Sequence, residues 1–137
     1  MLQKPQKIPR LPDAELEVMQ VIWRGEGPMS TSMVNDELNE RRPWNVSALQ
    51  TLLNRLIGRG FLSSERRGKS RWYESVIGEE EYLASENKSF LERLNSSSLT
   101  KFVATLYDSK GITDADLEEL HRFIDEKTGY QEKTESP

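Results

Sequence analysis

The stretch Trp44–Gly60, WNVSALQTLLNRLIGRG, constrains this chain more than any other. Val46, Leu49, Leu52, Leu53, Leu56 and Ile57 recur at spacings of three and four, so on a 3.6-residue period they form one apolar stripe that must face a core. What is left over, Ser47, Gln50, Thr51, Asn54 and Arg55, makes a second face of short polar groups around one guanidinium, with no carboxylate in it. Asn45 can cap the start by accepting from the first unpaired amides, and Gly60 supplies a left-handed stop. A solvated helix face ordinarily mixes Glu with Lys. An acid-free face suits an acceptor-rich, negatively charged surface, and nucleic acid is the first candidate.

The charge pattern points the same way. The net charge of -4 hides an asymmetry: residues 1–77 carry 12 Lys and Arg against 9 Asp and Glu, and residues 78–137 carry 7 against 14. Within residues 41–77 there are 8 bases and 2 acids, so a polyanion would find its footing there. The acidic remainder argues against generic stickiness to nucleic acid and implies a separate task for the C-terminal part. With 137 residues there is room for one ordinary domain, or a small module plus an arm. No apolar run approaches the roughly 20 residues of a membrane span, and the N-terminus has no apolar middle of the secretory kind. Without cysteine there is neither a disulfide framework nor a thiolate metal site, and a cytoplasmic protein is expected.

Along the chain, Pro5, Pro9 and Pro12 predict an extended arm that is mobile or loosely docked. Asp13 is placed to cap a first helix bearing Leu16, Met19, Val21, Ile22 and Trp23, ended by Gly25, Gly27 and Pro28. A second helix starts near Ser30, carries Met33, Val34 and Leu38, and closes at Arg41, Arg42 and Pro43. The third is the stretch above. The period then changes: Phe61 and Leu62 lead to a hairpin with Arg67-Gly68-Lys69 at its tip and Trp72, Tyr73 and Val76 on the return strand. Arg66, Arg67, Lys69 and Arg71, some 10 residues beyond the third helix, are where a wing would touch phosphates. Three helices followed by a basic-tipped hairpin make a winged helix-turn-helix.

Beyond Gly78 the strand signals stop. Three amphipathic segments follow, separated at 95–98 and 110–113: Tyr82, Leu83, Phe90, Leu91 and Leu94 mark the first; Leu99, Phe102, Val103, Leu106 and Tyr107 the second; Leu117, Leu120, Phe123 and Ile124 the third. Three short helices have too little mutual core to stand alone, and burial against a second copy would solve that. The residues from Gly129 are polar and expected to fray. The fold class is thus mainly α with a small β-hairpin: a winged-helix DNA-binding domain over 1–77 and a three-helix dimerisation arm over 78–137.

Each motif has a bland alternative. The polar face of the third helix would also arise on a surface helix that happens to lack acids, and the basic hairpin on an edge that uses charge against aggregation. The two together favour DNA. Phosphate contacts would supply affinity, and Asn45, Ser47, Ala48, Gln50, Thr51, Asn54 and Arg55 the discrimination. Gln50 and Asn54 suit adenine edges through a paired donor and acceptor, and Arg55 suits guanine or a phosphate. Trp44 either packs as a staple ahead of the helix or lies against a DNA backbone, with packing favoured. Catalysis has little to work with: His121 is the sole histidine and sits among acids, and the carboxylate runs read as solvated faces and helix N-terminal charge. No cofactor or metal is expected. The rival reading is a winged-helix protein-interaction module without a DNA role.

The segments DAELEVMQVIW, WNVSALQTLLNRLIGRGFL, ERRGKSRWYESVI and EYLASENKSFLERL resemble the penicillinase repressor (BlaI/MecI) family of bacterial transcription regulators, nearly without gaps from about Ile8 to the third C-terminal helix. The resemblance implies a homodimeric winged-helix repressor with interlocked C-terminal helices, seated on a palindromic double-stranded operator with TACA-like half-sites. It implies control of genes for a β-lactamase, a penicillin-binding protein or a sensor protease. Two copies would set their recognition helices about 34 Å apart, on successive major grooves. Three departures stand out. Ala48 replaces a threonine usual early in the recognition helix. The Asn-Phe bond cut by the sensor-linked protease pathway in antibiotic-responsive members corresponds here to Thr105–Leu106, so regulatory cleavage there does not follow directly. The cysteine cluster of a copper-responsive branch is missing.

Overall fold

The computed structural model describes residues 7–94 and 98–129. Its elements, in chain order, are α1 (Asp13–Arg24), β1 (Met29–Ser30), α2 (Thr31–Asn39), α3 (Val46–Gly58), β2 (Leu62–Arg67), β3 (Ser70–Ser75), α4 (Glu79–Leu94), α5 (Leu99–Asp108) and α6 (Asp114–Thr128). The chain divides into two compact units between Arg93 and Leu94.

In the first unit the three-helix pattern is realised. Leu49, Leu53 and Leu56 of α3 are fully buried with Val18 and Met19 of α1 and Val34 and Leu38 of α2. The Asn45 side chain accepts from the Ala48 amide, 3.1 Å away, as a capping residue should. At the other end Gly60 has φ +87°, and the Gly60 and Phe61 amides donate to the carbonyls of Ile57 and Leu56. That pair of bonds is a Schellman closure, which requires the left-handed residue that glycine supplies without a Cβ penalty. It turns the chain sharply enough to bury Phe61 and start β2.

Four expectations need correcting. The cap of α1 is Pro12, not Asp13: Pro12 is extended and makes no side-chain cap bond, while Asp13 occupies the first helical position, where its charge still favours the helix N-terminus. The sheet has three strands in the order β1-β3-β2, because Met29 and Ser30 pair with Tyr73 and Trp72. Two residues are too few to show alternation, so β1 leaves no periodic trace. The proline-bearing arm is docked from Ile8 onward: Leu11 is buried, Ile8 packs on the core, and Arg10 lies 3.3 Å from Glu86. The expectations for residues 1–6 and for those after Gly129 fall outside the described residues.

The fourth correction concerns Tyr82, which was expected on the dimerisation arm. It is buried in the first unit, where its hydroxyl accepts from the Leu11 amide at 2.9 Å and its ring meets those of Trp23 and Phe61 at 5.7 and 5.9 Å. A tyrosine at the start of an amphipathic helix carries no mark of which neighbour buries it. The first turns of α4 therefore pack with the winged helix, although the charge and strand signals change at residue 78.

A polar contact fixes α3 from behind. Glu15 of α1 is 1% exposed, and the Arg59 guanidinium at the C-cap of α3 reaches its carboxylate at 2.6 Å. The pair ties the far end of α3 to α1, at a depth where a carboxylate without a partner would be costly.

In the second unit α6 begins with a capping box, Thr113 accepting from Asp116 N while the Asp116 carboxylate accepts from Thr113 N, and ends at Gly129 in the left-handed region. The Tyr107 hydroxyl donates to Asp114 at 2.6 Å, joining α5 to α6; that bond and the carboxylate charge raise the Tyr107 pKa. None of the residues of α5 or α6 is buried.

The Glu15–Arg59 geometry predicts an asymmetry in urea unfolding. Arg59→Ala strands a buried carboxylate and should cost about 2 kcal/mol, less than the roughly 3–5 kcal/mol of a fully buried pair because the arginine side chain is 40% exposed. Glu15→Leu leaves an arginine that can turn to water and should cost less. Equal losses, or a larger loss for Glu15→Leu, would show that the carboxylate needs no partner.

Candidate nucleic-acid interface

Burial of Leu49, Leu53 and Leu56 turns the opposite side of α3 outward: Asn45, Ser47, Ala48, Thr51, Asn54 and Arg55 are exposed and Gln50 is half-buried. Val46, expected on the core stripe, is 54% exposed, because the first turn of α3 overhangs the hydrophobic cluster. Thr51 donates its hydroxyl back to the Ser47 carbonyl at 3.2 Å, which leaves its methyl and lone pairs facing out.

Strand alternation sorts the basic wing residues. In the β2–β3 register Leu62, Ser64 and Arg66 oppose Ser75, Tyr73 and Arg71, and with a period of two these six share one face. It is the face that packs on the helices, since Leu62 and Tyr73 are fully buried. Arg66 and Arg71, with Lys69 at the tip, consequently wall a groove whose other side is Val46 and Gln50 of α3 and Thr31 and Ser32 of α2. Arg67 belongs to the other face, beside Trp72 and Glu65: its guanidinium sits 5.2 Å above the Trp72 ring and 3.7 Å from the Glu65 carboxylate. The structure thus separates Arg67 from the three other wing residues of the predicted interface.

The groove is electrostatically unfinished. Arg66 and Arg71 stand directly opposite one another across the hairpin, an arrangement that costs stability unless an anion lies between. Arg71 donates to Ser64 at 2.8 Å, and among the described residues no ion pair holds Arg66, Lys69, Arg71 or Arg55. The N-terminus of α2 opens into the same space, with Ser30 capping and Thr31 and Ser32 at its mouth, so its positive dipole end adds to the cationic wall. Gly68, φ +63°, is the first of the two residues between paired Arg67 and Ser70, the position where a type II′ hairpin needs glycine. It carries Lys69 to the outermost point of the wing.

Trp44 packs on the core, with the Arg42 guanidinium 4.5 Å over its ring, in agreement with the staple reading. Its backbone amide donates to Asn39, which bridges the α2–α3 connection. Sequence reasoning missed Val46, Thr31 and Ser32 as groove residues. Only the hydroxyl pair after Ser30 carried a signal, as an N-terminus lacking acids.

A family model for the penicillinase repressor matches residues 11–126. The chain belongs to the penicillinase repressor family. That family consists of transcriptional repressors rather than enzymes. Identity with the penicillinase repressor of Bacillus licheniformis is 33% over 120 residues, covering 88% of this chain and 93% of the relative. With the methicillin resistance regulatory protein MecI of Staphylococcus aureus strain N315 it is 23% over 114 residues, covering 83% and 92%. Among solved structures, the solution structure of the DNA-binding domain of the repressor BlaI aligns with a TM-score of 0.51 at 40% identity, over 57% of this chain and 94% of that one. The aligned DNA-binding domain covers 57% of this chain, and the groove between α3 and the wing carries Arg66, Lys69 and Arg71 on one wall.

The expected dimerisation residues scatter more than their stripes implied. Leu99 and Val103 of α5 and Leu117, Leu120, Phe123 and Ile124 of α6 line one apolar groove in the second unit, while Phe102 and Leu106 lie outside it. Phe90 and Leu91 are on α4 of the first unit, Leu91 exposed and Phe90 half-buried with Arg93 5.7 Å over its ring. Thr105 and Leu106 stand inside α5; Thr105 donates to Lys101 O at 2.8 Å, and the Leu106 carbonyl accepts from Gly111 N at 2.7 Å. A protease would have to open that helix to reach the bond.

The separation of the wing arginines predicts different salt responses in duplex-binding titrations. Arg66→Ala with Lys69→Ala should flatten the plot of log Kd against log salt by roughly two, about one for each phosphate left without its cation. Arg67→Ala should leave the slope within error of wild type. A flattening with Arg67→Ala equal to that of the pair would contradict the assignment of faces.

Proposed function

We propose that this chain is a homodimeric repressor that shuts off transcription by occupying a palindromic operator, in an operon of the β-lactam-resistance type. The observation that carries the reading is the groove between α3 and β3: on one side lie short polar side chains and an exposed valine, on the other cations without ion-pair partners among the described residues. A phosphate backbone would complete Arg66, Arg71 and Lys69, while Gln50, Asn54 and Arg55 face bases. The regulatory target follows from kinship, since one relative is named for penicillinase repression and another for methicillin resistance. A protein with this role works where the chromosome is, in the cytoplasm, and none of the described helices is long and apolar enough to cross a membrane.

Dimerisation is proposed through the second unit. Leu99, Phe123 and Ile124 are 59%, 53% and 47% exposed, and a unit with an apolar groove and no buried residue in α5 or α6 lacks a core of its own. A second copy offers the same groove in return, which satisfies the self-complementarity of a two-fold interface. Winged-helix domains held as a pair would match an operator with two-fold symmetry. Control by a sensor-linked protease is retained only as a route that must first open α5.

Two measurements test this. Purified protein should protect genomic fragments from nuclease over two half-sites one helical turn or a multiple of it apart; protection of a single unpaired site would contradict the dimeric operator. In sedimentation, Phe123→Asp should convert the dimer to monomer at micromolar concentration and weaken operator binding at least roughly tenfold. An unaltered dimer would remove the second unit from the interface.

A further inference from the structure

Three side-chain hydrogen bonds link the groove residues Thr31 and Gln50 to Tyr73 and Asn54. The Thr31 hydroxyl donates to the Tyr73 oxygen at 3.3 Å. Gln50 Nε2 donates to that same oxygen at 3.1 Å and to Asn54 Oδ1 at 3.3 Å. Tyr73 is fully buried on β3, so its hydroxyl is a fixed point, held by the sheet that pairs it with Met29 on one side and Ser64 on the other. Gln50 is half-buried and stands one turn from Val46 and one from Asn54 on the exposed side of α3.

A primary amide has two N–H donors and one oxygen acceptor. In this arrangement both donors of Gln50 are engaged within the chain, one by the Tyr73 oxygen in a part-buried bond and one by Asn54 in an exposed bond. Its Oε1 is left as the group offered to the groove. Asn54 is the complement: its Oδ1 is taken by Gln50, so its Nδ2 donors are what it offers. A free glutamine would turn either end outward and tolerate several bases. This one is held.

Resting on the reading of the groove as a DNA interface, we infer that Tyr73 is a positioning residue that locks the Gln50 amide with its oxygen outward. Residues 50 and 54 then present an acceptor followed, one turn on, by a donor. In the major groove an outward acceptor selects bases with an exocyclic amino group, the adenine N6 or cytosine N4 amine, and disfavours guanine O6 and thymine O4. This replaces the expectation that Gln50 pairs with adenine through a donor and acceptor together. Its donors are already engaged by Tyr73 and Asn54.

The test is selection from a library of random duplexes, with the bound fraction sequenced, for the full-length wild type, Gln50→Ala and Tyr73→Phe. Wild type should favour adenine or cytosine by roughly tenfold at one position of each half-site, and Gln50→Ala should lose that preference. Tyr73→Phe keeps the buried ring but frees the amide, so the preference at that position alone should fall to about twofold, with the other positions and the salt dependence unchanged. An identical motif for Tyr73→Phe overturns the positioning role and leaves the repressor reading intact. A guanine or thymine preference at the Gln50 position overturns the polarity. Wild type that enriches no motif overturns the DNA reading, and this inference with it. A second readout needs no variant: in the free wild-type protein both Gln50 side-chain amide protons should be displaced from random-coil NMR positions and slowed in exchange with water. Random-coil behaviour of that amide overturns the lock even if Tyr73→Phe does not fold.

Discussion

Burial of three leucines, Leu49, Leu53 and Leu56, is the interaction the rest of this structure depends on. Each contributes about 1.5–3 kcal/mol when fully removed from water, and together they leave α3 one orientation. The helix cannot roll without exposing them. Its opposite side, with Gln50, Asn54 and Arg55, is therefore presented outward by the core rather than by any contact of its own. The Schellman turn at Gly60 and the Glu15–Arg59 pair hold the C-terminal end, and Asn45 holds the start. Rigidity of this kind would serve the proposed reading of bases by α3, because side chains that must find base edges lose less entropy when their backbone is already fixed.

The wing completes the site by a second constraint, the two-residue period of a strand. Tyr73 and Leu62 anchor one face of the hairpin in the core, and the same alternation delivers Arg66 and Arg71 to the groove beside α3. The opposed arginines cost local stability and, in the proposed function, an anion between them would offset that cost. Arg67, one residue over, is spent on Trp72 and Glu65. Charge alone does not distinguish these arginines; register does.

Much of this was legible in the residues. The stripe of α3, its two caps, the hairpin tip and the helical character of the C-terminal part follow from period, capping chemistry and glycine placement. Other features were hidden for identifiable reasons. Val46 keeps helical spacing with Leu49, yet the core ends before it. Tyr82 sits at an apolar position of an amphipathic helix, and sequence does not say that Leu11, Trp23 and Phe61 receive it. The strand at Met29–Ser30 is too short to alternate. The bonds of Tyr73 to Thr31 and Gln50 join residues 42 and 23 positions apart, a distance over which no local pattern extends.

The central claim, that the groove between α3 and the wing receives duplex DNA, is tested most directly by titrating isotope-labelled protein with an operator duplex and mapping amide shifts. The account predicts that the largest changes fall on Val46 to Arg55, on Thr31 and Ser32, and on Arg66, Lys69 and Arg71, with Glu65 and Arg67 little affected. Shifts confined to α5 and α6, or spread evenly over the Glu65–Trp72 face, would contradict it.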